Sequence, residues 1–194
     1  MDIVVSGLSK SFGTNLVLDG FNAVFPEREI TCLMGPSGCG KTTLLNILMG
    51  FIKPDSGSIQ GVPALKSAVF QEDRLCETFN AVSNVKLVLN SKSDSGIIVE
   101  HLNQIGLKGS LDKPVNELSG GMRRRVAIVR AILAKSDILF LDEPFKGLDD
   151  DTKKDVMNYL LDNLKGRTVV MVTHNMDEVK SLNAGLIQME GKSK

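Results

Sequence analysis

Eight consecutive residues, Gly35-Pro36-Ser37-Gly38-Cys39-Gly40-Lys41-Thr42, fit the spacing G-x-x-x-x-G-K-[ST]. That spacing builds a phosphate-binding loop. The glycines permit a turn whose backbone N–H groups converge on an anion. Lys41 can then reach the β- and γ-phosphates, and the Thr42 hydroxyl can hold Mg²⁺. A second chemical feature is Ile138-Leu139-Phe140-Leu141-Asp142-Glu143, an apolar run ending in two acids. Asp142 at the tip of such a strand is placed to bind Mg²⁺, directly or through water. Glu143 beside it can orient or deprotonate an attacking water. Read alone, the same run could be a strand entering a solvated acidic turn. A third feature is Leu118-Ser119-Gly120-Gly121-Met122. Ser119 is a good helix N-cap, and the two glycines let backbone N–H groups approach an anion. A plain capped helix is the alternative.

These groups need elements to hold them. Residues 29–34 read as a strand entering the phosphate loop. Residues 43–49 read as a helix leaving it and stopping at Gly50. Strand, loop and helix in that order put an anion on a helix N-terminus. Upstream, residues 2–6 and 17–25 are β-like, and short strands follow at 57–59 and 67–70. The pattern then turns helical over 79–89 and 97–105, with a polar link at 91–96. Helix is predicted over 120–133 and 150–164, and again in a short piece from Asn175. Strands are predicted at 138–141, 168–173 and 184–189. Apolar strands alternating with helices predict an α/β fold with a mostly parallel sheet covered on both faces. The block from about residue 72 to 117 interrupts that alternation and reads as an inserted helical subdomain. It is followed by a helix over 118–134, all within one domain spanning 1–194.

Composition narrows the function classes. The chain has 194 residues, 42% hydrophobic and 24% charged, which suits a soluble globular protein. Lys plus Arg and Asp plus Glu number 23 each, so no net charge draws it to nucleic acid or acidic lipid. No apolar run approaches the ~20 residues of a membrane span. The N-terminus shows strand pattern and no signal peptide. Three cysteines, at 32, 39 and 76, form no C-x-x-C pair, which predicts a reduced, cytosolic protein. Cys32 reads as a small core residue, and a thiol reagent on Cys39 is expected to block nucleotide binding. The run Arg123-Arg124-Arg125 spreads around a helix and forms no stripe, which assigns these side chains solvated or interface roles. His101 has no Cys/His or acidic cluster around it in sequence and reads as surface or packing.

The Leu118–Met122 run resembles the LSGGQ signature of ATP-binding-cassette (ABC) ATPases, and the rest of the chain follows that family's order. Gln71 looks like its Q-loop glutamine, Asp149 in Gly147-Leu148-Asp149 like its D-loop, and His174 after Val172-Thr173 like its H-loop histidine. Phe12 stands where the family has an aromatic that stacks on adenine. Each has an ordinary alternative: Phe12 as core, Asp149 as a helix N-cap, His174 and Gln71 as strand-end residues. The resemblance implies a P-loop NTPase core with an antiparallel β subdomain and an inserted helical subdomain. It also implies ATP and Mg²⁺ as cofactors. Residues 35–42 and Thr43 would line the nucleotide, with Lys41, Glu143 and His174 catalytic. Thr42, Gln71 and Asp142 would serve the metal. Ser119, Gly120, Gly121 and Asp149 would act across a head-to-tail dimer with two ATPs in its interface. Residues 70–75 and 142–149 are most similar to importer ATPases of the nitrate/sulfonate/taurine group. The implied partners are a second copy of the chain, a separate membrane permease and, indirectly, a solute-binding protein. No nucleic acid is expected, and the implied location is the cytoplasmic face of the membrane. The alternative is a soluble ABC ATPase acting on DNA, ribosomes or Fe–S assembly. Four positions depart from the family pattern: Met122 for the signature glutamine, Phe12 for tyrosine, and Lys146 and Gly147 before the D-loop. The chain ends soon after His174, so no appended regulatory domain is expected.

Overall fold

The computed structural model describes residues 1–89, 95–164 and 166–190. They form two compact units, the first made of residues 1–66, 137–143 and 166–190 and the second of 67–89, 95–136 and 144–164.

The first unit holds two sheets. Strands β1 (Ile3–Phe12), β2 (Asn15–Phe25) and β4 (Ser56–Gln60) form an antiparallel sheet ordered β2-β1-β4. The sequence predicts β1 only to residue 6, yet the strand runs on to Phe12. The cause is a set of register shifts between Val5 and Leu8, Leu8 and Lys10, and Lys10 and Ser11. A bulge inserts a residue and breaks the period-two alternation, so Ile3, Val5 and Leu8 are all buried although their spacing changes.

In the second sheet, β6 (Ile138–Asp142), β7 (Thr168–Val172), β3 (Ile30–Met34) and β8 (Gly185–Gln188) lie side by side and parallel. Every residue of β6 and β7 is buried, as expected for strands covered on both faces. Helix α1 (Lys41–Met49) packs on β6 and β7 and ends at Gly50. The Lys66 ammonium caps it, donating to the Leu48 and Met49 carbonyls at 3.2 Å each. Pairing sets Leu33 opposite Val172 and Val172 opposite Asp142, so three strand ends stop level at one edge.

The second unit begins within β5 (Lys66–Val69). It holds α2 (Ala81–Lys86), α3 (Ser95–Gln104), a 3₁₀ turn at Val115–Glu117, α4 (Gly120–Leu133) and α5 (Asp150–Asn163). Its core is Ala81, Val85, Ile98, Leu102, Val126, Ile128 and Leu160. Helix α2 is shorter than the predicted 79–89, because Asn80 caps it by accepting the Ser83 amide at 2.8 Å. Of the predicted polar link, 91–94 lie outside the described residues, while Ser95 and Gly96 begin α3. His101 on α3 meets the Tyr159 hydroxyl of α5 at 2.9 Å, a packing role. The last helix, α6 (Met176–Ser181), belongs to the first unit and is capped by Asn175.

Gly57 tests how closely β4 and β1 pack. Its φ is +90°, and a Cβ there would lie 2.5 Å from the Gly7 carbonyl oxygen. Gly57→Ala is expected to destabilise by more than about 1 kcal/mol. Thermal unfolding should register it as a fall in Tm of at least about 2–4 °C.

Candidate functional site

The level edge of the parallel sheet gathers the chemistry of the first unit. The phosphate loop leaves β3, Asp142 ends β6 with Glu143 next, and Thr173 and His174 follow β7. The C-terminal edge of a parallel sheet is where α/β folds place their ligands. Within the loop, Pro36, Ser37 and Gly38 are at least partly open to solvent, whereas Cys39, Gly40 and Lys41 are buried. Gly40 starts α1 at φ +103°, and a Cβ there would meet Leu18 Cδ2 at 2.8 Å. The Lys41 side chain runs under the loop, and the residue is only 6% exposed. Its ammonium donates to the Gly35 and Pro36 carbonyls at 2.8 and 2.9 Å and to Cys39 Sγ at 3.7 Å. Thr43 is half-buried on the first turn of α1.

The Thr42 hydroxyl donates to Asp142 Oδ2 at 2.9 Å. A hydroxyl and a carboxylate this close are two hard oxygen donors, the chemistry that suits Mg²⁺. Among the described residues no group of three or more His, Cys, Asp or Glu could hold a metal. A small cation held by Thr42 and Asp142 alone would need most of its ligands from water and phosphate, a set that suits Mg²⁺.

Glu143 has φ +50°, a left-handed conformation for a residue with a Cβ. Such a conformation costs about 1–3 kcal/mol and persists only where neighbours hold it. Here the Glu143 amide donates to the Val172 carbonyl at 3.0 Å. Its carboxylate Oε1 lies 3.2 Å from His174 Nε2. The glutamate side chain is mostly covered while the His174 side chain is 46% exposed, so the pair opens to one side. The backbone around His174 is pinned on both sides. The Thr173 hydroxyl donates to Glu178 Oε2 at 2.5 Å and accepts the Asn175 amide at 3.0 Å. Thr173 enters the sequence reading only as the residue before His174, and Glu178 belongs to no motif, although a glutamate one helical turn beyond the histidine is a signal that could point to it.

Phe12 ends β1 and is 49% exposed, which rules out the core alternative. The Lys10 ammonium lies 5.6 Å from its ring centroid. Asp55 fixes this strand end, accepting Lys10 Nζ and the Ser11 amide at 2.6 Å each. The Lys10 bond, then the Ser11 amide, holds the Asp55 carboxyl below its ordinary value.

The remaining candidates sit on the second unit. Gln71 is exposed just beyond β5. Ser119 caps α4, accepting the Met122 amide at 3.2 Å, so Met122 takes part through its backbone. Gly120 is exposed. A Cβ on Gly121 would stand 3.2 Å from Leu148 Cδ2, so the Ser119-Gly120-Gly121 turn packs on the Gly147-Leu148-Asp149 loop. Asp149 caps α5, accepting the Thr152 amide at 2.9 Å and its hydroxyl at 2.7 Å. Those bonds, the amide first, keep its carboxyl below the usual range.

Two expectations are corrected here. Arg123, Arg124 and Arg125 do not simply project into solvent. They donate to the carbonyls of Leu118, of Phe70 and Gln71, and of Ile105 and Gly106 respectively. Buried or irregular carbonyls need donors, and a guanidinium supplies five. Cys39, 6% exposed, is also buried, so a thiol reagent meets a covered sulfur instead of an open loop position.

A family model described as "ABC transporter" matches residues 18–146. The bicarbonate transport ATP-binding protein CmpD of Synechococcus elongatus is 37% identical, over 96% of this chain and 74% of the relative. The aliphatic sulfonates import ATP-binding protein SsuB 1 of Nocardia farcinica is 37% identical, over 97% and 78%. The taurine import ATP-binding protein TauB of Pseudomonas aeruginosa is 39% identical, over 84% and 67%. Among solved structures, the dimeric structure of a bacterial ABC transporter cassette superposes with a TM-score of 0.84 at 28% identity, covering 97% of this chain and 94% of the other. A dimer of the same cassette in a post-hydrolysis state with ADP and Pi gives 0.83 at 27% identity, covering 98% and 97%.

The thiols offer a direct check on burial in the loop. Cys76 is exposed, while Cys32 and Cys39 are buried. Burial, with the Glu178 carboxylate adding to it, pushes the Cys32 thiol up to about 12. Under mildly alkaline conditions a maleimide should label Cys76 rapidly and leave Cys32 and Cys39 to react only after denaturation. Peptide mass spectrometry reads the order, and equal early labelling at Cys39 would contradict the burial described.

Proposed function

The chain belongs to the ABC transporter family, and from that premise we propose that it is the ATP-binding and hydrolysing subunit of an importer, working through a separate membrane permease. The observation that carries the reading is the Glu143–His174 pair, 3.2 Å apart, set beside Thr42 and Asp142 at one sheet edge. A site built only to bind nucleotide has no need of a glutamate held in a costly left-handed conformation. The similarity to importer subunits for bicarbonate, sulfonates and taurine supports import over a soluble, non-transport role. Among the described residues no helix is long and apolar enough to cross a membrane. In this proposal the permease is another polypeptide, and the chain works at the cytoplasmic face.

The phosphate-loop amides and Lys41 bind the triphosphate. Carbonyls hold the Lys41 ammonium, so its charge stays available to the anion. Thr42, Asp142 and Gln71 would hold Mg²⁺, which when bound draws charge from the phosphate oxygens. Glu143 accepts the proton of the attacking water at its carboxylate. His174 orients that carboxylate through Nε2 and faces the γ-phosphate. Phe12 gives its exposed ring face to the adenine. Ser119, Gly120 and Gly121 meet the triphosphate of a second copy, and Asp149 lies in the same head-to-tail contact. Two-fold symmetry makes both sites close together. Closing and opening of that dimer drives the permease between states.

Glu143→Gln is expected to keep ATP binding and slow hydrolysis by roughly 10²- to 10⁴-fold, the usual contribution of a general base. Phosphate release measures the rate, and size-exclusion chromatography with ATP should show the variant accumulating as a dimer. Turnover near the native rate would reassign the base.

A further inference from the structure

The stretch from Phe70 to Asn80, which follows β5 and contains Gln71, has no ladder or helix partner of its own over most of its length. Its backbone is held by side chains. Arg124 on α4 donates through Nη1 to the Phe70 carbonyl at 2.5 Å and through Nη2 to the Gln71 carbonyl at 2.7 Å. Arg130 on the same helix donates through Nη2 to the Asp73 carbonyl and through Nη1 to the Arg74 carbonyl, both at 2.8 Å. Further along, buried Asn84 binds the carbonyls of Cys76, Phe79 and Asn80 and accepts the Cys76 amide. Two planar forks therefore grip four carbonyls of one irregular segment, and both forks grow from the helix whose N-terminus is the Ser119-Gly120-Gly121 turn.

The electrostatics show how committed this arrangement is. Arg124 is 5% exposed. A buried guanidinium is costly unless each donor finds an acceptor. Carbonyl dipoles supply most of that, and the Asp73 carboxylate lies 3.2 Å from Arg124 Nη1. That oxygen is paired by charge without hydrogen-bond geometry. Arg74 adopts φ +48° and lays its guanidinium 3.8 Å from the Phe70 ring centroid, closing the segment on itself. The Gln71 residue remains exposed while its carbonyl is tied down.

We infer that Arg124 and Arg130 are positioning residues, which make the Gln71 segment and the Ser119-capped helix move as one body. The inference rests on the proposed roles of Gln71 and Ser119. With those roles, a tether between them carries the closing of the signature turn on one nucleotide to the glutamine that serves the other. Lysine cannot substitute, since a point charge on a flexible stem cannot span two carbonyls in fixed geometry.

The test compares the native chain with Arg124→Gln, Arg130→Gln, Arg124→Lys and Arg130→Lys, each assembled with its permease. Amide hydrogen exchange over residues 70–79 should accelerate by about 10-fold or more in the glutamine variants, with α1 and β6 unaffected. The kcat for ATP should fall by about 10- to 100-fold, the usual consequence of a misplacement near 1 Å. KM for ATP should stay within about 3-fold, because the phosphate loop grips the nucleotide independently. A glutamine variant that fails to fold passes the test to its lysine counterpart, which is expected to change in the same direction. Unchanged exchange over 70–79, or faster exchange with native kcat, overturns the proposal. A native complex that hydrolyses no ATP sinks the ATPase reading instead, and the exchange measurement still decides the tether.

Discussion

The register of three parallel strands is the constraint on which the candidate site depends. β6, β7 and β3 are buried almost throughout. A strand with both faces covered cannot slip by one residue without misplacing every side chain it carries. Pairing fixes Leu33, Val172 and Asp142 at one level. The phosphate loop, the acid pair and the Thr173–His174 step all start within a few residues of that line. Apolar packing thereby sets polar distances: the 2.9 Å from Thr42 to Asp142 joins residues 100 apart in sequence.

Burial also makes the strained backbone at Glu143 tolerable. A left-handed glutamate would relax in a free loop. Here β6 fixes the residue before it, and the Val172 carbonyl takes its amide. The His174 side of the pair is restrained independently by Thr173 and Glu178. Both partners of the 3.2 Å contact are thus placed before any substrate arrives. That preorganisation is what the proposed proton transfer from water to Glu143 requires.

Legibility in the sequence follows the kind of force involved. Helix α4 is readable from a serine cap and a run of apolar positions; it runs Gly120–Leu133, inside the wider 118–134 reading because Ser119 and Ala134 are its caps. β6 and β7 are readable because each is a short, unbroken apolar run, the pattern of a strand covered on both faces. The phosphate loop and the acid pair are legible since their chemistry sits in consecutive residues. The full length of β1 is not, because its bulges erase the alternation that identifies a strand. Nor is the fate of Arg123–Arg125. A helical wheel gives the direction of a side chain but not the carbonyls waiting there, and for Arg124 and Arg125 those belong to residues 19 to 54 positions away. The cover over Cys39 is hidden for the same reason, since it depends on distant packing. The partition into two units, with residues 144–164 grouped alongside 67–89 and 95–136, is likewise a product of long-range contacts that no local pattern encodes.

The chain's balanced charge conceals a common device for handling buried cations. Lys41 is fixed by two carbonyls, Arg124 by two and Arg130 by two. A carboxylate in the same place would position a cation equally well but would also neutralise it. Around Lys41 carbonyl dipoles hold the side chain and leave its formal charge intact, whereas Arg124 is in addition paired with the Asp73 carboxylate. For Lys41 this preserves attraction for a polyanion in a protein with no net positive charge to offer. For the arginines it satisfies backbone acceptors that no strand or helix could reach. The irregular segment after β5 is thereby tied down without being regular, with Gln71 exposed and its carbonyl held.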